Sequence, residues 1–166
     1  MTTLKVTKDR TADILKAIRS LTKTQVLVGV PEAETARTPE EGEPEGITNA
    51  AIGYIAEFGS PAANIPERPH LIPGVQSVED RIGKAFGAAA KAAIEGNAEG
   101  VSQKQHAAGM IAQNAVRAKI TDGEFAALSG RTLQKRRSRG RSGEKPLIDT
   151  GQYRRSITYV VRPKGK

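Results

Sequence analysis

The first pattern along the chain is a row of apolar residues at helical spacing. The row consists of Ile14, Leu15, Ile18 and Leu21. These positions share one face of a helix, and the lysines and arginines between them fall elsewhere. Thr7 and Asp9 stand just before the row and are suitable capping residues. The pattern predicts a first amphipathic helix.

Two short segments rich in β-branched residues predict strands. Residues 24–30 are mostly apolar and stop at Pro31, which is typical of a largely buried strand. We expect this strand at the centre of the sheet. Residues 156–161 alternate in character and predict a last strand, so the chain is expected to end in the sheet.

The middle of the chain predicts helices separated by a stiff connector. Residues 49–58 favour a short helix capped by Thr48 or Asn49. The prolines within residues 65–73 force their predecessors out of the helical region, which predicts an extended arm. Residues 74–120 are Ala-rich and predict two helices broken near residues 96–100.

Four glycines at i, i+4 spacing accompany these two helices. They are Gly83, Gly87, Gly96 and Gly100. They allow close helix packing, or they are merely tolerated; the sequence leaves both interpretations open. Together the elements predict an α+β fold in one domain over residues 1–166, with a small mixed sheet packed against two or three helices and with long loops.

Composition limits the core and the chemistry. Hydrophobic residues make up 37% and aromatic residues 4%, with no Trp, so a core of Ile, Val, Leu and Ala is expected and burial against neighbouring subunits would add to it. The absence of Cys excludes disulfides and thiolate chemistry and fits a reducing cytoplasm. No signal peptide or membrane-spanning run is apparent, so no membrane partner is expected.

Charge is distributed unevenly along the chain. The net charge is +8, yet residues 131–166 alone carry twelve Lys or Arg against Glu144 and Asp149, so the first 130 residues sum to −2. Residues 31–47 hold six Glu, one Arg and several Pro and Gly, which predicts a flexible acidic loop. Residues 129–146 predict a basic loop.

The basic loop supplies candidates for contact with DNA or with an acidic partner. They are Arg131, Lys135, Arg136, Arg137, Arg139 and Arg141. Such a cluster can neutralise phosphates. The alternatives are a solvated turn and a contact with an acidic neighbouring subunit, and together these two are favoured somewhat over direct DNA binding. No aromatic residue interleaves the cluster, which argues against stacking on single strands.

Catalytic motifs are not apparent in the sequence. His70 and His106 lack metal-site spacing, and no nucleophile elbow or phosphate loop is present. Asp149 precedes Gln152 by three positions, which suggests a capping box rather than a protease motif. We therefore predict no enzyme, no catalytic residue, no metal and no cofactor.

Three segments together resemble a known family. They are IGYIAEFG at residues 52–59, IPERPHL at 65–71 and KPLIDTGQYRRSI at 145–157. In this order they resemble the tail-completion, or head–tail connector (neck), proteins of long-tailed bacteriophages, and the resemblance covers about residues 45–162. Tyr153 stands where that pattern usually has Leu, and His70 stands where Phe is common.

The resemblance implies a structural part of the virion at the head–tail junction, made in the cytoplasm of the bacterial host. Its implied partners are copies of itself in a hexameric ring around the DNA channel, other neck, tail-terminator or head-connector proteins, and the channel DNA by electrostatics. It implies these subunit-interface candidates: Glu57, Phe58, Gly59, Arg68, Pro69, Asp149, Thr150, Gly151 and Arg154. The main competing hypothesis is a basic nucleic-acid-binding module that belongs to no particle, with a hydrolase as a third.

Overall fold

The protein has an α+β fold, as the sequence predicts. The computed structural model describes Asp9 and residues 11–36 and 46–165. Its helices are α1 (Thr11–Thr22), α2 (Asn49–Phe58), α3 (Leu71–Gln76), α4 (Glu79–Ile94), α5 (Ala98–Asp122), α6 (Gly130–Ser138) and α7 (Gln152–Ser156), and its strands are β1 (Thr24–Gly29) and β2 (Thr158–Pro163).

The sheet is one antiparallel pair of strands. β1 pairs with β2 from Thr24 opposite Pro163 to Gly29 opposite Thr158. Both strands pack against α5. Within the described residues no third strand joins them, so β1 is not a central strand and the pair contains no parallel neighbour of the kind a mixed sheet requires. β2 begins at Thr158 rather than at Ser156, because Ser156 completes α7.

Helices α4 and α5 form the largest helix–helix contact, and the predicted break between them is confirmed. Asn97 caps α5 by accepting a hydrogen bond from the backbone N–H of Gly100 (2.8 Å). The facing side chains are buried alanines: Ala89, Ala92, Ala93, Ala108 and Ala112. Small side chains let the two backbones approach closely, so this half of the core is built from many small contacts.

The glycines of these helices differ in role. A Cβ at Gly83 or Gly87 would meet no atom within 4 Å, so these two glycines do not serve close packing. Gly100 is tightly surrounded, because its added Cβ would lie 3.2 Å from the Cβ of Ala92. The packing interpretation therefore holds at Gly100 only among these three positions.

The predicted starts of α1 and α2 are confirmed. Asp9 accepts a hydrogen bond from the Thr11 N–H (2.9 Å), and Thr48 accepts one from Ala51 (3.1 Å). Thr7, the other predicted cap, lies outside the described residues. The extended arm is shorter than predicted: helix α3 already begins at Leu71, because Pro73 falls in its first turn, where a proline is tolerated.

Two loop predictions have different outcomes. The acidic loop is described only at its ends, where Glu32–Glu34 form one 3-10 turn; residues 37–45, and with them the predicted flexibility, lie outside the described residues. The prediction of a basic loop over residues 129–146 is wrong for half of these residues. Residues Gly130–Ser138 form helix α6, whose cap is Ser129, accepting from the Thr132 N–H (3.2 Å).

The second half of the core joins α5 to the C-terminal segment. Its fully enclosed members are Val116, Ile120, Tyr153 and Ile157. Partly buried residues from β1, α2, α3 and the segment before α7 pack around them: Val28, Val30, Ile52, Leu71, Val75, Leu147 and Ile148. This cluster places α2, α3 and α7 side by side and so positions the polar groups described next.

Candidate functional site

A buried carboxylate lies at the start of helix α3. Glu57, at the end of α2, is 4% exposed. Its Oε2 accepts hydrogen bonds from the backbone N–H groups of His70 (2.8 Å) and Leu71 (2.9 Å), and its Oε1 accepts from Ile72 (3.0 Å). These N–H groups have no partner within their own helix, so Glu57 satisfies them and joins α2 to α3.

The imidazole of His70 is completely enclosed. Its Nδ1 donates to the backbone carbonyl of Arg68 (2.8 Å), and its Nε2 accepts from the hydroxyl of Tyr153. The acceptor at Nδ1 is a carbonyl, which fixes the proton on that nitrogen and leaves Nε2 as the acceptor. Nδ1 also lies 3.2 Å from Oε2 of Glu57.

Arg68 completes this set. Its guanidinium donates through Nε to the carbonyl of Ala126 (2.8 Å) and through Nη2 to that of Ala127 (2.9 Å). Its backbone N–H donates to the carbonyl of Ala56. Arg68 thus fixes the connection between α5 and α6 against the arm. We call Glu57, Arg68, His70 and Tyr153 the buried network.

The protonation states within the buried network follow from burial and hydrogen bonding. Burial lowers the pKa of His70, against the opposing effects of the Arg68 carbonyl and the Glu57 carboxylate, so the imidazole is neutral. Burial acts to raise the pKa of Glu57, but the three backbone donors and His70 together bring it below its usual value. Burial, with the Glu57 carboxylate, raises the pKa of Tyr153.

The buried network corrects two interface candidates. Glu57 and Arg68 are 4% and 9% exposed, and their side chains are bound to backbone groups at the start of α3 and in the connection between α5 and α6. They are therefore not available for the subunit contacts predicted for them. His70 is 0% exposed, so its acid–base capacity is not accessible to a substrate from solvent.

The neighbouring candidates Phe58, Gly59 and Pro69 do reach the surface. Phe58 is 56% exposed, and its ring lies 5.0 Å from that of Tyr54, which is 67% exposed. We call these two rings the aromatic pair. Gly59 ends α2 with a φ of 72°, and a Cβ there would lie 2.9 Å from the carbonyl oxygen of Ile65. These residues form the accessible side of the α2–arm corner.

Asp149 does not cap a helix, contrary to the capping-box prediction. Gly151, with a φ of 75°, occupies the cap position of α7, and the Thr150 hydroxyl accepts weakly from the Gln152 N–H (3.4 Å). The Asp149 carboxylate instead pairs with Arg141 (2.8 Å) and with Arg136 (3.5 Å). A charged guanidinium is a stronger partner for a carboxylate than a neutral N–H, which accounts for the difference.

Among the basic candidates, Arg136 is corrected. It is 7% exposed, and its Nη1 donates to the carbonyls of Gly143 (2.8 Å) and Lys145 (3.0 Å). Its place on the inner face of α6 follows from the helical period, which the loop prediction did not include. Arg136 therefore anchors the turn after α6 and does not face DNA or an acidic partner.

The other basic candidates, in and just after α6, differ in how far their charges are neutralised. Arg137 pairs with Glu144 (3.1 Å), and Arg141 pairs with Asp149. Arg131 and Lys135 are exposed, and Arg139 is half-buried. Arg137 and Arg141 are thus partly compensated within the chain.

A group of cations that sequence reasoning missed surrounds the end of α5. Arg117, Arg154 and Arg155 line a cleft of 330 Å³ together with Ala118, Thr121 and Asp122. Lys145 reaches the same place, donating to the carbonyl of Thr121 (2.8 Å). We call this the basic cleft. Of these residues, only Arg154 was a candidate from the sequence, and it was predicted as a subunit contact. The one sequence signal for the cleft was the helical spacing of Arg117 and Thr121, which puts both residues on one face of α5.

Within residues 11–36 and 46–165 and at Asp9, no group of three or more acidic or histidine side chains could hold a metal ion. No helix in this part of the chain is long and apolar enough to cross a membrane. Comparisons with protein-family models, with curated proteins and with solved structures find no match for this chain.

Proposed function

We propose that this chain is a structural, non-enzymatic subunit of a tailed bacteriophage particle, a tail-completion or neck component that joins the tail to the head connector as a ring around the DNA channel. The main observation behind the proposal is that the three segments that resemble neck proteins contact one another in the fold. Residues 52–59 supply Glu57, residues 65–71 supply Arg68 and His70, and residues 145–157 supply Tyr153 to the buried network.

This meeting matters because the segments lie far apart in the sequence. The resemblance extends over residues 45–162, and polar residues from its three segments join in one buried network. Residues of this kind specify a fold and do not belong to a surface loop. The Glu57 carboxylate and the His70 imidazole are enclosed and fully occupied with holding elements together. A structural role is the function that this arrangement supports best.

The surface adds a second support. The aromatic pair and two further large apolar side chains, Ile65 and Ile72, are between 36% and 67% exposed. Burying apolar surface of this kind yields about 25 cal/mol per Å². In a ring, a neighbouring copy of the chain would cover the aromatic pair, and Phe58 and Pro69 remain the interface candidates of that corner.

The first test is quantitative peptide mass spectrometry of phage particles purified from the source culture. The proposal predicts a few copies of the chain per particle, counted against the major capsid protein, at one vertex or in the tail. Failure to detect the chain while other neck proteins are present would overturn the proposal.

A second test concerns the surface. The double variant Tyr54→Ser/Phe58→Ser should fold normally and fail to incorporate into particles in a complementation experiment. Ile94→Ser removes an equally exposed apolar side chain (50%) from the end of α4 and serves as the control. Normal incorporation of the double variant would remove the α2–arm corner from the interface.

The alternative is a nucleic-acid-binding module independent of any particle, favoured by the exposed cations Arg131 and Lys135. A module of this kind binds a preferred sequence more tightly than random DNA at the same salt concentration. Sequence-specific binding by the free chain, together with its absence from particles, would favour the module over the virion subunit.

A further inference from the structure

The basic cleft holds its cations in fixed positions through neutral acceptors. Arg154 donates through Nη1 to the hydroxyl of Thr121 (2.9 Å), and Arg117 donates through Nε (3.0 Å) and Nη2 (2.6 Å) to the carbonyl of Ile157. Arg155 donates to the carbonyl of Thr150 (3.2 Å). Each guanidinium is thus oriented without being neutralised.

Within the described residues, no carboxylate forms an ion pair with these cations. Arg117, Lys145, Arg154 and Arg155 form no ion pair there, although Asp122 lines the same cleft. In and just after α6, by contrast, Arg136 and Arg141 share Asp149, and Arg137 has Glu144. The cations of the C-terminal half that form no ion pair therefore include a cluster at the end of α5.

The negative end of the α5 dipole explains in part why these cations lie near the C-terminus of α5. Cations near a helix C-terminus are stabilised by about 0.3–1 kcal/mol each. Four cations around one turn also repel one another, and an anion placed between them would relieve this repulsion. Guanidinium groups present paired donors that match the oxygens of a phosphate, and the cleft of 330 Å³ accommodates a phosphate group.

One further exposed cation, Lys135, lies in an adjoining groove. Thr150, whose carbonyl accepts from Arg155, lines this groove as well. Four cations in the cleft, with a fifth in the adjoining groove, fit a polymer that carries many phosphates better than they fit one small anion. We propose that the basic cleft, with Arg154 and Arg155 at its centre, binds the phosphate backbone of double-stranded DNA.

This inference deepens the proposed function, since it names the surface that would meet the channel DNA, and it rests on that function for its setting only. The binding is tested on the free full-length chain, whereas the virion role is tested on particles. A failure of one is therefore distinguishable from a failure of the other.

The experiment is fluorescence anisotropy with a labelled DNA duplex of mixed sequence, titrated at several salt concentrations. Loss of two phosphate contacts in Arg154→Gln/Arg155→Gln should reduce the slope of log K against log salt by about 1.8 and weaken binding by about tenfold or more at low salt. Lys84→Gln/Lys91→Gln removes the same charge from exposed positions of α4 and should leave the slope nearly unchanged.

Two further variants guard against misfolding. Arg155 is exposed, so Arg155→Gln alone should unfold at the wild-type temperature and show about half of the slope change. Arg154→Lys/Arg155→Lys keeps the charge and should keep most of the affinity. Equal weakening by the α4 control and the cleft variant, or no binding by the wild type at 50 mM salt, would overturn the proposal.

Competition separates DNA from other anions. Inorganic phosphate and a synthetic peptide of residues 31–47, with its six Glu, are each titrated against the labelled duplex. The proposal expects neither to displace it at millimolar concentrations. A peptide that binds through Arg154 and Arg155 when the duplex does not would assign the basic cleft to an acidic protein surface, and would overturn the DNA proposal.

Discussion

The hydroxyl of Tyr153 donates a hydrogen bond to Nε2 of His70, although the two residues lie 83 positions apart in the chain. Their rings meet edge to face, with centroids 5.5 Å apart. Because Nδ1 of His70 is occupied by the Arg68 carbonyl, Tyr153 is the partner that satisfies the second ring nitrogen. This contact joins α7 to the start of α3, and the stability of the whole α2–α3–α7 corner depends on it.

Removal of the Tyr153 hydroxyl tests this dependence. Tyr153→Phe leaves the enclosed Nε2 of His70 without a donor, and an unsatisfied buried polar group costs about 1–3 kcal/mol. We expect a lower free energy of unfolding by that amount in urea denaturation. Tyr54→Phe removes the same hydroxyl from a side chain that is 67% exposed and should change stability by less than about 0.5 kcal/mol. Equal effects of the two substitutions would contradict the role of Tyr153.

The pH dependence of stability follows from the lowered pKa values of His70 and Glu57. The ordinary pKa of His is 6.5, and burial lowers it in the fold, so the unfolded chain takes up the proton first as the pH falls. The contribution of His70 is therefore complete above pH 6.5 and is lost as the pH falls toward the folded pKa. Glu57 acts with the same sign from its ordinary value of 4.5 downward.

Urea midpoints between pH 8 and pH 5 measure this effect. The double variant His70→Phe/Tyr153→Phe removes the buried titrating group together with its donor and should flatten the profile over that range. His106→Gln removes an exposed histidine outside the buried network and serves as the control. A double variant that remains as acid-sensitive as the wild type would exclude His70 as the cause.

Gly109 tests the approach of helix α5 to the sheet. A Cβ at this position would lie 2.2 Å from Cδ2 of Tyr159, so Gly109→Ala should destabilise by about 1–3 kcal/mol through overpacking. Gly87→Ala, in α4, meets no atom within 4 Å and should stabilise by up to about 1 kcal/mol through helix propensity. Thermal unfolding of both variants should therefore shift in opposite directions; a stabilised Gly109→Ala would contradict the close packing.

Helix α6 carries both a buried cation, Arg136, and an exposed cation, Arg131, whose contributions to stability can be compared. Arg136→Met leaves the carbonyls of Gly143 and Lys145 without their donor and removes one of the two guanidinium partners of Asp149, at a cost of about 1–3 kcal/mol. Arg131→Met, at an exposed position, should cost less than about 0.5 kcal/mol. Urea denaturation compares the two. A small effect at Arg136 would show that the turn after α6 is held by other contacts.

The sequence by itself determined the features that depend on local pattern. Apolar spacing and capping residues were sufficient for α1, for α2 with its cap at Thr48 or Asn49, and for the break between α4 and α5; the structure has Thr48 as the cap. The small sheet and the α+β class followed from two β-branched segments at opposite ends of the chain. These features are decided within a few turns of backbone, where propensity and capping act directly.

The tertiary structure decided which polar residues are buried and which remain at the surface. Glu57 and Arg68 lie in segments that resemble interface motifs, yet their partners are backbone groups brought to them by folding. In the sequence Arg136 is indistinguishable from its basic neighbours, but the helical period of α6 places it on the inner face of that helix. The basic cleft gathers residues from position 117 to position 155. Burial and charge compensation depend on contacts with residues that are distant in the chain. A local sequence pattern does not show which distant residues will be in contact.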